Sequence, residues 1–338
     1  MSEMPRLTIG LPVFNGERYL AESLDALLGQ SYEDYVLVIS DNASTDGTAA
    51  ICRRYLKQDS RIRYVRQPRN IGAALNHNFL ARECHTELFK WASADDLYAR
   101  DLLERCVATL DEHPEVVLAH SWTAAVDGAS RLTQALPYPL TTDSASAPER
   151  FHSLLFGAGC EGLGGEVVDG DGVIRADDFY GVIRTDVLHR VRPHDSYYYA
   201  DRTFMAEIVL QGPFHQTPEW LYFRRDHPER AQHAYPTVRS RCVNLDPRRA
   251  SRVRHPAVRL LAEYVLGYAS AIRRAPLSAA EQWECRRHLL RWLRTHAIPQ
   301  LRRMARRDIP PPISAMLAAP ATDISIDEIV AGRERGVS

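Results

Sequence analysis

The sequence predicts an α/β protein: a mostly parallel, doubly wound sheet with helices on both faces, followed by a C-terminal helical extension. Three observations predict it. Short apolar runs alternate with amphipathic segments through the first 125 residues, the signature of repeated βα units. The runs are apolar nearly throughout, as strands buried on both faces are. A polar, turn-forming cluster follows each of the first four runs.

The elements follow in order. Leu7–Phe14 is the first strand. Tyr19–Gly29 sets Leu20, Leu24, Leu27 and Leu28 on one helical stripe, with Gly29 as the stop. Tyr35–Ser40 is the second strand, and after D-N-A-S-T-D-G-T a helix runs through Tyr55. Ile62–Val65, Leu88–Ala92 and Val116–Ala119 continue the strands, while Ile71–Cys84 and Asp101–His113 supply helices. Residues 137–176, with Pro137, Pro139, Pro148 and a glycine-rich stretch, read as a flexible functional loop. Order resumes with a strand at 179–184 and a helix over Arg202–Gln211. Val258–Arg274 and Leu277–Arg307 are helical patterns separated at Pro276. The predicted division is 1–125, 126–235 and 236–338.

Composition narrows the function classes. Of 338 residues, 45% are hydrophobic and 25% charged, with a net charge of -1. Those values exclude disordered, collagenous and coiled-coil chains. They also supply no global field toward nucleic acid. Lys57 and Lys90 are the only lysines; every other basic residue is arginine. The C-terminal third is locally basic, with fifteen arginines against three acids between Arg248 and Arg307. Such amphipathic helices pack on the main domain, form a homodimer interface or make peripheral membrane contact. No run approaches the ~20 apolar residues of a transmembrane helix. The six cysteines form no C-x-x-C pair and no signal peptide is evident, which together predict a cytoplasmic protein with reduced thiols.

In an open α/β sheet, ligands bind beyond the carboxyl ends of the strands. There the chain places L-P-V-F-N-G-E (11–17), S-D-N-A-S-T-D-G-T (40–48), R-Q-P-R-N-I-G (66–72) and A-S-A-D-D (92–96). Adjacent carboxylates at a strand end, Asp95 and Asp96, call for a cation between them, and a hard divalent ion bridging to a diphosphate supplies it. The alternative is a helix cap for the residues that follow. Asp41 is placed to accept from a nucleobase, or to form a turn. Arg69, Asn70 and Gly72 suit a phosphate at a helix N-terminus, Gly72 by allowing close backbone approach.

These four motifs, in this order and spacing, resemble the inverting family 2 glycosyltransferases of the GT-A fold, over roughly residues 6–230 and most densely in the first 125. The resemblance implies that Pro12, Phe14, Asn15 and Glu17, with Asp41, hold the nucleotide base. It implies that Asp95 holds the ribose and Asp96 the metal, Mn²⁺ or Mg²⁺. The sequence departs from the family pattern at Asn42 and Ser93, where many members carry aspartate. An inverting transfer needs a general base, and the resemblance directs attention to S-Y-Y-Y-A-D-R-T-F (196–204), with Asp201 as the base. Its alternative role is a helix cap. In F-R-R-D-H-P-E-R (223–230), His227 is a candidate metal ligand, and Arg224 or Arg225 a candidate for the diphosphate. The expected partners are a nucleoside-diphosphate sugar (UDP favoured, GDP or dTDP open) and a small-molecule or glycan acceptor hydroxyl, in natural-product or surface-glycan biosynthesis. The rival readings are a non-catalytic nucleotide-sugar-binding subunit of the same fold and a sugar nucleotidyltransferase, whose G-G-x-G-T-R loop is missing here.

Overall fold

The sheet runs in the order β3-β2-β1-β4-β8-β6-β9-β5, with β7 paired to β6. Its strands are β1 (Leu7–Val13), β2 (Tyr35–Asp41), β3 (Ile62–Arg66), β4 (Leu88–Trp91), β5 (Leu97–Tyr98), β6 (Leu118–Val126), β7 (Leu132–Gln134), β8 (Val182–Arg184) and β9 (Phe214–Arg225). The computed structural model describes residues 4–135, 140–156, 178–197 and 199–297. Strands β3, β2, β1 and β4 are parallel, β8 is antiparallel to both β4 and β6, and β6 pairs in parallel with β9. The sheet is therefore mixed but mostly parallel at the end where the four motifs sit.

The helices are α1 (Leu20–Leu28), α2 (Thr48–Leu56), α3 (Ala73–Arg82), α4 (Leu102–Glu112), α5 (Ala147–Phe156), α6 (Thr185–Arg190), α7 (Ala200–Val209), α8 (Ala231–Ala234), α9 (Val238–Leu245), α10 (Ala257–Arg274) and α11 (Ala279–Trp292). They divide into two layers. Helices α1, α2 and α4 bury Leu20, Leu24, Leu27, Cys52, Tyr55, Leu103 and Leu110 against one face. Helices α3, α5, α6, α7, α10 and α11 bury Leu80, Phe151, Leu188, Phe204, Ile272 and Trp292 against the other. Strands β1 and β2 are almost wholly buried, because both faces are covered.

The structure moves several boundaries. Residues 97–98 form β5, hydrogen-bonded in register with Tyr222 and Phe223, rather than the start of a helix. Strand β6 extends through Val126, and β9 lies along its whole length. Helix α5 lies inside the predicted 137–176 loop, because Phe151 and Leu155 have a core to enter; residues 157–176 lie outside the described residues. Helices α10 and α11 complete the second core through Tyr268, Ala271, Cys285 and Leu289. Helix α11 starts at a capping box between Ser278 and Glu281, a device contributing about 1 kcal/mol. The five described cysteines are buried free thiols, and Cys160 lies outside the described residues.

Two buried imidazoles make the fold acid-sensitive. His120 on β6 and His194, between α6 and α7, are 3% and 8% exposed. Burial brings both down to about 4. On unfolding they regain an ordinary histidine pKa, so the unfolded chain binds more protons between about 6.5 and 4. Their contribution is complete above that window and is lost as pH falls through it, by about 1.4 kcal/mol per pH unit for each imidazole. Urea unfolding at neutral pH and near pH 5.5 should show this loss, and a His120→Gln, His194→Gln double variant should reduce the slope, leaving the share of His77, which burial also brings down to about 4.

Candidate active site

The loops after β1 and β2 are locked to one another. The Asn15 N–H donates to Ser44 Oγ at 2.9 Å, the Gly16 N–H to Thr48 Oγ1 at 2.9 Å, and the Thr45 N–H to Asn15 Oδ1 at 2.8 Å. Glu17 Oε2 accepts from the Gly47 N–H at 2.6 Å, at the N-terminus of α2. The loop after β3 joins through Asn42, whose Nδ2 donates to Asn70 Oδ1 at 3.1 Å and whose Oδ1 accepts from the Ile71 N–H at 2.8 Å. Ser23 on α1 donates to the carbonyls of Ser93 and Asp96, both at 2.8 Å, and so fixes the loop after β4. Asn15 (φ 53°) and Ala43 (φ 62°) are held in the left-handed region. A non-glycine residue there costs of order 1–2 kcal/mol, which this web of bonds offsets.

Asp95 and Asp96 have separate environments. Asp96 is fully buried; its Oδ1 accepts from the Arg225 N–H at 2.8 Å and from Arg230 at 3.2 Å, and its Oδ2 from the Tyr222 hydroxyl. Both oxygens are taken, so the expected metal ligand Asp96 is instead the brace between the β4 loop and β9. Asp95 faces outward, 2.9 Å from His227 Nε2. The two carboxyls shift in opposite directions. Burial and the neighbouring Asp95 charge push Asp96 up. Burial also opposes charge on Asp95, but the hydrogen bond from His227, the charge of Arg230 and the Ser93 hydroxyl outweigh it and bring Asp95 down. Asp95 is thus the half-buried carboxylate that its cationic neighbours hold in the charged form.

The Asp95–His227 pair fits a divalent cation. Two ligands on adjacent corners of an octahedron, at about 2.1 Å from the ion, stand about 3 Å apart. Among the described residues no group of three or more His, Cys, Asp or Glu is placed to hold a metal. Small divalent ions are commonly held by one or two protein groups together with substrate phosphates, so a two-ligand face is sufficient. The Glu229 carboxylate, 3.4 Å from His227 Nδ1, and the Tyr19 ring, centred 4.7 Å away, orient the imidazole.

The remaining expected donor residues fall into two groups. Pro12 is half-buried, and Phe14, Arg69 and Asn70 are exposed on their loops. Asp41 is fully buried, and its oxygens accept from the Ser44 N–H at 2.8 Å, Tyr64 at 2.7 Å and Arg66 at 2.7 Å; a base reaches it only by displacing Arg66. Gly72 does make a close backbone approach, but to its own chain: at φ 91°, an added Cβ would lie 2.4 Å from the Leu245 carbonyl and 2.8 Å from Pro247 Cδ. Arg225, considered above for diphosphate, is 0% exposed on its side chain and instead donates to the Asp95 carbonyl, Ser130 and Glu22. Arg66, Arg225 and Arg230 were not legible in these roles, since each acts through a partner distant in sequence.

Asp201 is exposed in the first turn of α7, not at its cap. The cap is Tyr199, left-handed at φ 57°; Tyr198 lies outside the described residues. Phe204 of α7 packs edge-on against Trp91 of β4 at 5.6 Å, and Trp91 stacks on Phe179 at 4.6 Å. The Asp201 charge is felt by His77, whose ring lies 6.4 Å from Trp91. Helix α7 is thereby anchored on the strand that ends in the Asp95 loop.

This geometry agrees with comparison to known proteins. The sequence profile of glycosyl transferase family 2 matches residues 8–164. That stretch is just under half of the 338-residue chain. The chain is 34% identical over 123 residues to EpsE of Bacillus subtilis (strain 168), covering 33% of this chain and 41% of EpsE. It is 28% identical over 112 residues to the glycosyltransferase GlyG of Streptococcus pneumoniae, covering 33% and 36%. These matches span only about two fifths of each relative's length. S. aureus TarS 1-349, in complex with UDP-GlcNAc, superposes with a TM-score of 0.50 at 14% identity, covering 89% of this chain and 92% of TarS. The TarS complex with UDP gives 0.50 at 15% identity, covering 94% and 97%. At that identity the likeness establishes the GT-A fold. Arg225, His227 and Arg230, which contact Asp95 and Asp96, lie beyond the residues matched to that profile.

Two substitutions separate the roles of Asp96 and Asp95. Asp96→Ala leaves Arg230 without its buried partner and should cost about 3–5 kcal/mol in urea unfolding, whereas Asp95→Asn should cost far less. Gly72→Ala should destabilise by more than the ~1–3 kcal/mol of backbone strain alone, because the Leu245 carbonyl must also move; thermal unfolding reads this directly.

Proposed function

We propose that this protein is a metal-dependent, inverting glycosyltransferase that moves a sugar from a nucleoside diphosphate, preferentially UDP, to an acceptor hydroxyl. The observation that carries the reading is the partly buried Asp95–His227 pair, which joins the loop after β4 to the segment after β9. The match of residues 8–164 to the glycosyl transferase family 2 profile supports it, as does a fold shared with a protein crystallised with UDP and with UDP-GlcNAc.

The roles follow from placement. Phe14 and Arg66 present an apolar ring and a planar cation to a base entering above the buried Asp41. Arg69 and Asn70 meet phosphate oxygens. Bound by Asp95 and His227, Mn²⁺ or Mg²⁺ would supply Lewis-acid neutralisation of the diphosphate. The acceptor oxygen attacks the anomeric carbon opposite the diphosphate, and its proton passes to the Asp201 carboxylate. The bond from that carbon to the β-phosphate oxygen breaks, and the nucleoside diphosphate departs with the electron pair. Holding both reactants in line supplies much of the rate.

Two measurements test this reading. UDP should raise the melting temperature in the presence of Mn²⁺ or Mg²⁺ and not with EDTA, an effect of about 2.7 kcal/mol at a hundredfold excess over Kd; Asp95→Asn and His227→Ala should each abolish it. Absence of any metal-dependent nucleotide shift would remove the reading. Asp201→Asn should keep that shift and lower sugar transfer by about 10²–10⁴-fold; full turnover in the variant would move the base elsewhere.

A further inference from the structure

Helix α11 has two faces of different character. Inward, Cys285, Leu289 and Trp292 are buried in the second core. Outward, Trp283 is 62% exposed and Leu290 52% exposed. Seven residues apart, they lie two helical turns apart on one line. Arg287 lies on the same line, with Arg286 and Arg291 on either side, Arg294 follows in the turn after α11, and all four arginines are exposed. Among the described residues no ion pair ties Arg286, Arg287 or Arg294 to a carboxylate. Glu281 is committed to the helix cap, and Glu284 lies 3.9 Å from His288.

An exposed indole and leucine ringed by cations is a specific combination. A second copy of this chain is a poor occupant, because a two-fold contact would set four arginines against four. A nucleic acid would engage the arginines but leave the leucine without a role. A bilayer carrying anionic lipid satisfies both halves: arginines meet headgroup phosphates, while tryptophan and leucine enter the boundary between headgroups and acyl chains. Tryptophan favours that boundary because its ring is apolar and its N–H remains hydrated. No helix among the described residues is long and apolar enough to cross a membrane, so any contact through α11 lies along the surface.

We propose that the outward face of α11 is a docking surface for an anionic lipid bilayer, with Trp283 and Leu290 inserting and Arg286, Arg287, Arg291 and Arg294 contacting phosphates. The proposal is independent of nucleotide and metal, so it stands or falls separately from the catalytic reading.

Co-sedimentation of the full chain with vesicles tests it. The protein should pellet with mixed phosphatidylglycerol–phosphatidylcholine vesicles at low salt, should not pellet with phosphatidylcholine alone, and should be released at high salt. A Trp283→Ala, Leu290→Ala variant should lose partitioning by at least about tenfold. An Arg286→Ala, Arg287→Ala variant should lose about thirtyfold. Both changes are at exposed positions, and unchanged melting temperatures confirm that the variants fold. Three outcomes overturn the proposal: no pelleting of the wild type with anionic vesicles, wild-type pelleting by both variants, or a wild-type dimer by sedimentation velocity that the Trp283→Ala, Leu290→Ala change dissolves while vesicle binding is absent.

Discussion

A single buried carboxylate organises the site. Asp96 has no solvent exposure, and it ties the end of β4 to β9 by accepting from the Tyr222 hydroxyl, the Arg225 N–H and Arg230. A charge in that position is tolerated only while all its partners are present. Those partners sit some 130 residues further along the chain. The bond network is therefore the point at which the two halves of the sheet become one site. Arg225 extends it by donating to the Asp95 carbonyl at 2.8 Å, so the same strand that holds Asp96 also sets the backbone of its outward neighbour.

With Asp96 fixed inward, alternation along the loop turns Asp95 outward toward His227. Two carboxyls one residue apart in sequence then carry opposite preferences for their proton, one pushed up by burial and like charge, the other held down by cationic neighbours. That division by environment gives two adjacent carboxyls different protonation preferences. Lys90, fully buried on β4 with Nζ donating to the Tyr180 carbonyl, adds positive charge beneath the pair; burial brings it down to about 8.

The second layer positions the other half of the proposed chemistry. Phe204, Trp91 and Phe179 pack in an aromatic cluster that pins α7 to β4, and α10 covers α7 with Gly267 against Tyr197 and Thr203. The C-terminal helices are consequently part of the core that locates Asp201, not an appendage. Their outward faces remain available for a second role because only one stripe of each is needed for packing.

The doubly wound half was legible because its physics is local. Leu7–Val13 and Tyr35–Asp41 are apolar runs with period-independent burial, Leu20, Leu24 and Leu27 repeat at helical spacing, and each strand ends in residues that favour turns. Those patterns also set the order of the four loops that follow the strands. Other features depended on what each residue meets. Nothing in D-D distinguishes the fully buried carboxylate from the half-buried one. Nothing near Gly72 announces the Leu245 carbonyl that excludes a side chain, and nothing in F-R-R-D-H marks Arg225 as wholly buried. Helix α5 hid in a proline-containing stretch because its stability comes from the core it enters rather than from its own propensity. Element type and the location of the crevice depend on sequence-adjacent residues; the role of each buried charge depends on partners a hundred or more residues away, and only the tertiary structure supplies those.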